Sequence, residues 1–342
     1  MKQLARGIPI LASLIVLGIF VSRSGAEGPY KLKLPLGLQE QAAYIPADNP
    51  PTPAKIALGK MLYFDKRLSV DGTVACATCH APRFGFTDGQ PVSTGIKGQK
   101  GGRSAPTVIN RLFSKEQFWD GRAADLEDQA LGPIQAPIEM GNTLENVVAT
   151  LKKIPGYVEA FEKAYGDPDI TPKRIAQAIA SFERAVLSGN SPFDRYEAGD
   201  KKALSASARR GLELFPGKAR CRVCHAGFNF TDEGYNNIGV GMDKPKPDLG
   251  RYSVTKQEAD KGAFKTPTLR HIHATAPYMH DGSLKTLMEV VEYYNKGGTP
   301  NPYLSKEMKP LNLTEQEKAD LVAFLHALTG EESSTTDPLL PE

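Results

Sequence analysis

The chain has 342 residues, enough for one large domain or two of ordinary size. Its 40% apolar and 24% charged residues are ordinary for a soluble globular protein, and 32 glycines with 26 prolines predict many loops. The formal charge of +3 rests on the first 26 residues, which carry Lys2, Arg6 and Arg23 and no acid; without them it is about zero, which speaks against a nucleic-acid partner.

Those 26 residues read as a secretory signal. Lys2 and Arg6 form a positive start, an apolar run extends from Ile8 to Val21, and Ser24-Gly25-Ala26 supplies the small residues before a cut at Glu27. The alternative is an uncleaved anchor, for which the run is short. A cut chain is exported and has no membrane span.

Residues 27–50 are proline-rich and read as an extended arm. Residues 53–66 read as a helix, with Ile56, Leu58, Met61 and Leu62 at helical spacing. Residues 87–106 read as a long loop of the kind that serves function. Helical patterns return at 143–165, 172–188 and 205–215, with starts at Thr171-Pro172 and Ser205. A domain boundary is expected near 188–205, where Gly189, Asn190, Pro192 and Gly199 interrupt the pattern. Residues 227–265 again read as loop. Helices are expected at 284–296 and 314–329, the latter opened by a Thr314/Glu317 capping box. The polar tail 331–342 reads as disordered. The whole predicts a mostly α fold of two cytochrome-c-like domains, 27–195 and 196–330.

The four cysteines carry the chemistry. They form two Cys-x-x-Cys-His pentapeptides, Cys76-Ala77-Thr78-Cys79-His80 and Cys221-Arg222-Val223-Cys224-His225. Two disulfides would be the first thought for an exported chain. Yet two thiols at this spacing can form thioethers to the two vinyl groups of one haem, and the adjacent His then reaches the iron. Paired zinc motifs lie about 15–20 residues apart, whereas these are far separated, and a redox dithiol does not need His after both pairs. Each domain is therefore expected to hold one covalently bound haem c.

The supply of sixth ligands differs between the two units. No histidine lies between His80 and His225, and Met140 is the one methionine there. The loop after the first motif, Ser93-Thr94-Gly95-Ile96-Lys97-Gly98, offers only lysine. The second unit has His271, His273, Met279, His280, Met288, Tyr293 and Tyr294. One open and one closed haem suggest peroxide chemistry fed by a second redox centre.

Longer segments carry a resemblance. Gly101-Gly102-Arg103-Ser104-Ala105-Pro106-Thr107-Val108-Ile109-Asn110, Phe118-Trp119-Asp120-Gly121-Arg122, Leu126 to Ile134, Phe264 to Arg270 and Ala276 to Ser283 are similar to bacterial dihaem cytochrome c peroxidases and their MauG-like relatives, over roughly residues 45–330. The resemblance implies a peroxide site at the His80 haem and an electron-transfer centre at the His225 haem, with Trp119 between them as a relay. It implies that Gln129, Glu139 and Pro133 line the distal pocket, with Glu139 moving a proton between peroxide oxygens. It also implies a Ca2+ ion held by Ser104, Thr275 and Pro277, although Ser104 replaces the family's usual Asn and a hydroxyl is the weaker donor.

Two departures from most members stand out. The distal histidine position is Ile96, which cannot ligate iron, so the first haem is expected to be open at rest. The methionine position of the second haem is Tyr294, as in the MauG-like branch, although Met279 and Tyr293 remain open as ligands. A hard anionic phenolate favours oxidised iron where a thioether favours ferrous iron. The expected function is a periplasmic, MauG-like oxidase that uses hydrogen peroxide to oxidise a residue on a partner protein. The alternatives are a cytochrome c peroxidase fed by a small cytochrome or cupredoxin, and a non-catalytic dihaem carrier.

Overall fold

The structure is a computed structural model that describes residues 30–332 and 336–342; the segment read as a secretory signal lies outside them. Helix α1 (Pro53–Phe64) starts with proline at its first turn, and the Thr52 hydroxyl accepts the Lys55 N–H. A single turn, α2 (Cys76–Cys79), holds the first thiol pair. Then follow α3 (Leu126–Gln135), α4 (Leu144–Lys152), α5 (Pro155–Tyr165) and α6 (Pro172–Ala185). Their apolar faces close one core around Leu58, Leu62, Val147, Phe161, Ile175 and Ile179. The second half comprises α7 (Pro192–Glu197), α8 (Ala206–Leu214), α9 (Tyr252–Thr255), α10 (Leu287–Asn295) and α11 (Glu315–His326). Its own core gathers Phe215, Phe230, Val291, Leu321 and Phe324, with aromatic rings meeting edge to face.

The two halves repeat one packing device. α1 lies against α6, and α8 lies against α11. At the first crossing Gly59 faces the backbone of Ala178, where a β-carbon would sit 1.8 Å from the carbonyl oxygen. At the second, Gly211 faces Asp320, where a β-carbon would sit 2.0 Å from the carbonyl. Four residues further along each partner helix, Phe182 and Phe324 present their Cβ atoms to these glycines. The same close helix crossing is thus built twice, which supports two cytochrome-c-like domains in a mostly helical chain.

Sheet is minimal. β1 (Ser188–Gly189) pairs antiparallel with β4 (Glu331–Glu332), and β2 (Tyr235–Asn236) with β3 (Phe264–Lys265). The linking stretch 188–194 is held by buried polar contacts to both halves. The Asn110 side chain pairs with Ser188 as a backbone would, donating to its carbonyl and accepting its N–H. Arg270 makes a two-pronged pair with Asp194, both almost fully buried. The arm crosses this pair, and Arg270 Nη2 also donates to Gly37 O.

Several elements differ from the sequence reading. The 143–165 pattern is two helices, divided at Lys153-Ile154, because Pro155 opens a new one. The stretch 188–205 holds β1 and α7, where Ser191 and Asp194 make a reciprocal cap and Pro192 takes the first turn. α3 was not expected: Gly132 and Pro133 lie within it, and Pro133 sits near its end, where a lost N–H costs one bond. In the tail, Glu331 and Glu332 form β4, and Arg67 Nη2 donates to Pro341 O at 2.9 Å.

Candidate functional site

Each Cys-x-x-Cys-His motif closes a turn that brings its histidine back under the first cysteine: His80 N–H donates to Cys76 O and His225 N–H to Cys221 O, both at 2.9 Å. The imidazoles are oriented in the same way. Nδ1 of His80 lies 3.2 Å from Phe86 O, and Nδ1 of His225 lies 3.1 Å from Phe230 O. A carbonyl only accepts, so Nδ1 carries the proton and Nε2 keeps the lone pair that an iron needs. Both carbonyls are aimed by residues at positive φ, Phe86 at 58° and Phe230 at 52°. Burial holds both histidines below their ordinary pKa, which favours the neutral, ligating form. Tyr63, fully buried, donates its hydroxyl to His80 O at 2.9 Å and fixes the first turn.

No disulfide joins the four cysteines, which leaves each pair for thioethers. Burial pushes Cys79 up to about 11 and Cys221 up to about 12.

Around the second motif lies a hollow of about 1840 Å3, open solvent at its mouth included. Cys221, Cys224 and His225 line it, and Tyr294 and Met279 line it too. Thiols, imidazole and apolar walls in one hollow fit a covalent haem. Tyr294 comes from the last turns of α10. Its neighbour Tyr293 turns away, donating its hydroxyl to Ile238 O and accepting the Thr299 N–H. Of the two tyrosines named by sequence, Tyr294 therefore faces the hollow. Burial raises its hydroxyl pKa well above the ordinary value.

Trp119 lines the same hollow from the N-terminal half. Its indole N–H donates to Ser104 O at 2.9 Å, and its backbone carbonyl accepts the Lys265 N–H at 2.8 Å. Ser104 N–H donates in turn to His280 O. Arg103 pairs with Asp120 beside Trp119 and with Asp248 of the other half. The indole is thus held from both domains. Ser104, Thr275 and Pro277 also line the hollow, and Thr275 meets Gly85 across the seam.

A second group of the expected residues gathers at the end of α3 and the turn after it. Gln129 and Pro133 stand one turn apart on α3, and Met140 N–H donates to Pro133 O, tying the following turn to the helix. That turn carries Glu139. The 93–99 loop lies directly on it: Ile96 N–H donates to Glu139 O at 2.9 Å and Gln99 Nε2 to Pro137 O at 3.1 Å. Gly95 permits this approach, since a β-carbon there would lie 1.9 Å from Ile138 O. Ile96 is 4% exposed and packs in the first core. Burial raises the Glu139 carboxyl, opposed by Arg122. Burial is the main cause that raises Cys76 and Cys79, and the Glu139 charge adds a smaller part to both, so it stands within electrostatic reach of the motif.

Sequence reasoning missed Arg111 and Lys265 on the second hollow, and the carbonyls of Phe86 and Phe230. A positive φ has no sequence signal on phenylalanine.

Two haem-binding motifs in paired helical domains define a dihaem c-type cytochrome. Comparison with known proteins narrows this. Residues 53–202 match the family model for di-haem cytochrome c peroxidase, and residues 208–329 that for cytochrome c. The chain is 45% identical to methylamine utilization protein MauG of Methylorubrum extorquens, over 86% of this chain and 84% of that one. It is 40% identical to cytochrome c551 peroxidase of Pseudomonas aeruginosa, over 83% and 81%. Its fold matches a MauG-like protein associated with microbial copper homeostasis, with TM-score 0.81 and 34% identity, over 88% of this chain and 96% of that one. The chain belongs to the di-haem cytochrome c peroxidase and MauG family, and is an enzyme of that class carrying two haem c groups. Among the described residues no helix is long and apolar enough to cross a membrane.

Proposed function

We propose that this protein is a periplasmic oxidase that takes hydrogen peroxide at the His80 haem and directs the oxidising equivalents to a residue on a partner protein. The haems, when bound, supply the redox chemistry. Around them the chain's own residues do the rest. Glu139, with its carboxyl raised by burial, holds a proton and moves it from one peroxide oxygen to the other. Gln129 orients the peroxide through its amide, and Pro133 shapes the same wall. Trp119 relays electrons between the halves, with its indole N–H fixed on Ser104 O. Tyr294 supplies a phenol oxygen to the second centre.

One observation carries this reading. Ile96, buried and apolar, occupies the loop that lies on the Glu139 turn, and the one possible ligand of the 93–98 stretch, Lys97, is exposed. Electron paramagnetic resonance of the resting ferric protein tests it. One high-spin and one low-spin haem are expected; two low-spin signals would overturn it.

Met279 on the same hollow as Tyr294 favours a second reading, a cytochrome c peroxidase that reduces peroxide to water with electrons from a small cytochrome or cupredoxin. Peroxide-treated protein oxidised at one haem alone would support it against the first. The reading includes a Ca2+ ion at the seam on Ser104, Thr275 and Pro277, the first offering a hydroxyl where an amide would bind more strongly. Chelation is expected to release one Ca2+ per chain and to lower turnover; a chain with no bound Ca2+ would remove the ion from the reading.

A further inference from the structure

Among the described residues, Arg111 is a cation with no anion bonded to it. Its Nε and Nη2 donate to the Gln117 amide oxygen, and Nη2 also donates to Glu116 O. Nη1 makes no hydrogen bond among the described residues. Carboxylates of Glu233 and Glu183 are near enough to favour its charge, yet neither bonds it, and burial opposes that charge. A guanidinium cannot shed its proton to escape this cost. Lys265, 6% exposed, stands close by: its pKa is lowered by burial and, in part, by the Arg111 charge. Its ammonium pairs with Glu233 at 2.7 Å, a carboxylate already hydrogen-bonded by Ser114. Two like charges are therefore held together on one buried wall, with a single carboxylate, Glu233, paired to the lysine.

That wall belongs to the hollow of the second motif, which both Arg111 and Lys265 line, as does Trp119. Arg111 comes from the N-terminal half and Lys265 from β3 of the C-terminal half, on either side of the seam. A haem attached at Cys221 and Cys224 brings two propionate carboxylates on the ring edge away from its vinyl groups. We infer that Arg111 and Lys265 receive these carboxylates, and thereby set the potential of the C-terminal haem from both domains. The inference rests on the reading that this hollow holds that haem. Nη1 of Arg111 remains to donate to a carboxylate, and the desolvated pair gains most where water is excluded.

The test uses the haem-loaded enzyme and variants Arg111→Gln and Lys265→Met. Resonance Raman reads the propionate-bending band, and spectroelectrochemical titration reads each haem's midpoint potential. With a cation removed, the band of the C-terminal haem is expected to move. Its ferric form is expected to gain on the ferrous by on the order of tenfold, while the N-terminal haem holds. An unmoved band and potential in both variants, at two haems per chain, would overturn the assignment. Should either variant fail to retain haem, Arg111→Lys and Lys265→Arg keep the charge and alter the geometry. They are expected to move the band with little change in potential, and an unmoved band there would also overturn it. The underlying reading fails separately, if the wild-type chain binds fewer than two haem c groups by pyridine haemochrome assay.

Discussion

Glu139 and Glu183 are both carboxyls raised by burial, and they make opposite predictions. Glu139 stands beside the first motif, with Arg122 opposing the shift. If it moves the peroxide proton, Glu139→Gln lowers peroxide turnover by roughly 10²–10⁴-fold with haem content unchanged, read by steady-state kinetics. A mere electron carrier would show no turnover to lose. Glu183 lies inside the first core, 5% exposed, pushed up to about 8 by burial despite Arg184 and Arg111. Its folded pKa lies above its ordinary 4.5, so its contribution to stability is full below that value and is lost as pH rises to about 8. Denaturant titrations should show wild-type stability falling by about 1 kcal/mol per pH unit across that window. Glu183→Gln should flatten the slope and be the more stable form at pH 9. Tyr294→Met belongs at this scale too: a thioether in place of the phenol should raise the C-terminal haem potential. An unchanged potential would point to Met279 as the ligand. The motif cysteines and histidines were legible as residues, because haem attachment demands a fixed local spacing. Arg111 was not, because its meaning comes from a wall built by two distant segments.

Local rules read well where an element is set by its own ends. The Thr52, Thr171, Ser205 and Thr314 caps all open helices near the expected positions. They failed where a breaker residue is tolerated. Pro133 sits inside α3, so the proline that would end a helix lies within one. The helix crossings were illegible, since nothing in a lone glycine says which backbone it will meet. Gly59 and Gly211 now carry a paired prediction. Gly59→Ala should force α1 from α6, and Gly211→Ala α8 from α11, each costing about 1–3 kcal/mol by overpacking against a rigid carbonyl. Chemical denaturation of the two variants checks this. Equal losses are expected if the two crossings are equivalent, and a neutral Gly211→Ala would show that the second crossing can relax.

At the scale of the molecule, the two haem units are bound by more than their seam. The wall that Arg111 and Lys265 share, the indole of Trp119 held from both sides, and the Arg103 pair with Asp120 and Asp248 all need both halves in register. A loss of register would alter the relay and the second hollow together. The family and the number of haems could be read from the chain; this mutual dependence could not, because it joins residues far apart in sequence.

The chain's end adds a consequence of another kind. β4 returns to β1, and Pro341 reaches Arg67 in the N-terminal half. The last segment therefore returns from the C-terminal unit to the N-terminal half, like a belt buckled on its neighbour. A belted pair should melt as one cooperative body, because opening either half costs the other its partner. Calorimetry is expected to show a single transition for the full chain. Cutting after Thr329 should split it in two, freeing one haem unit to breathe while the other stays shut.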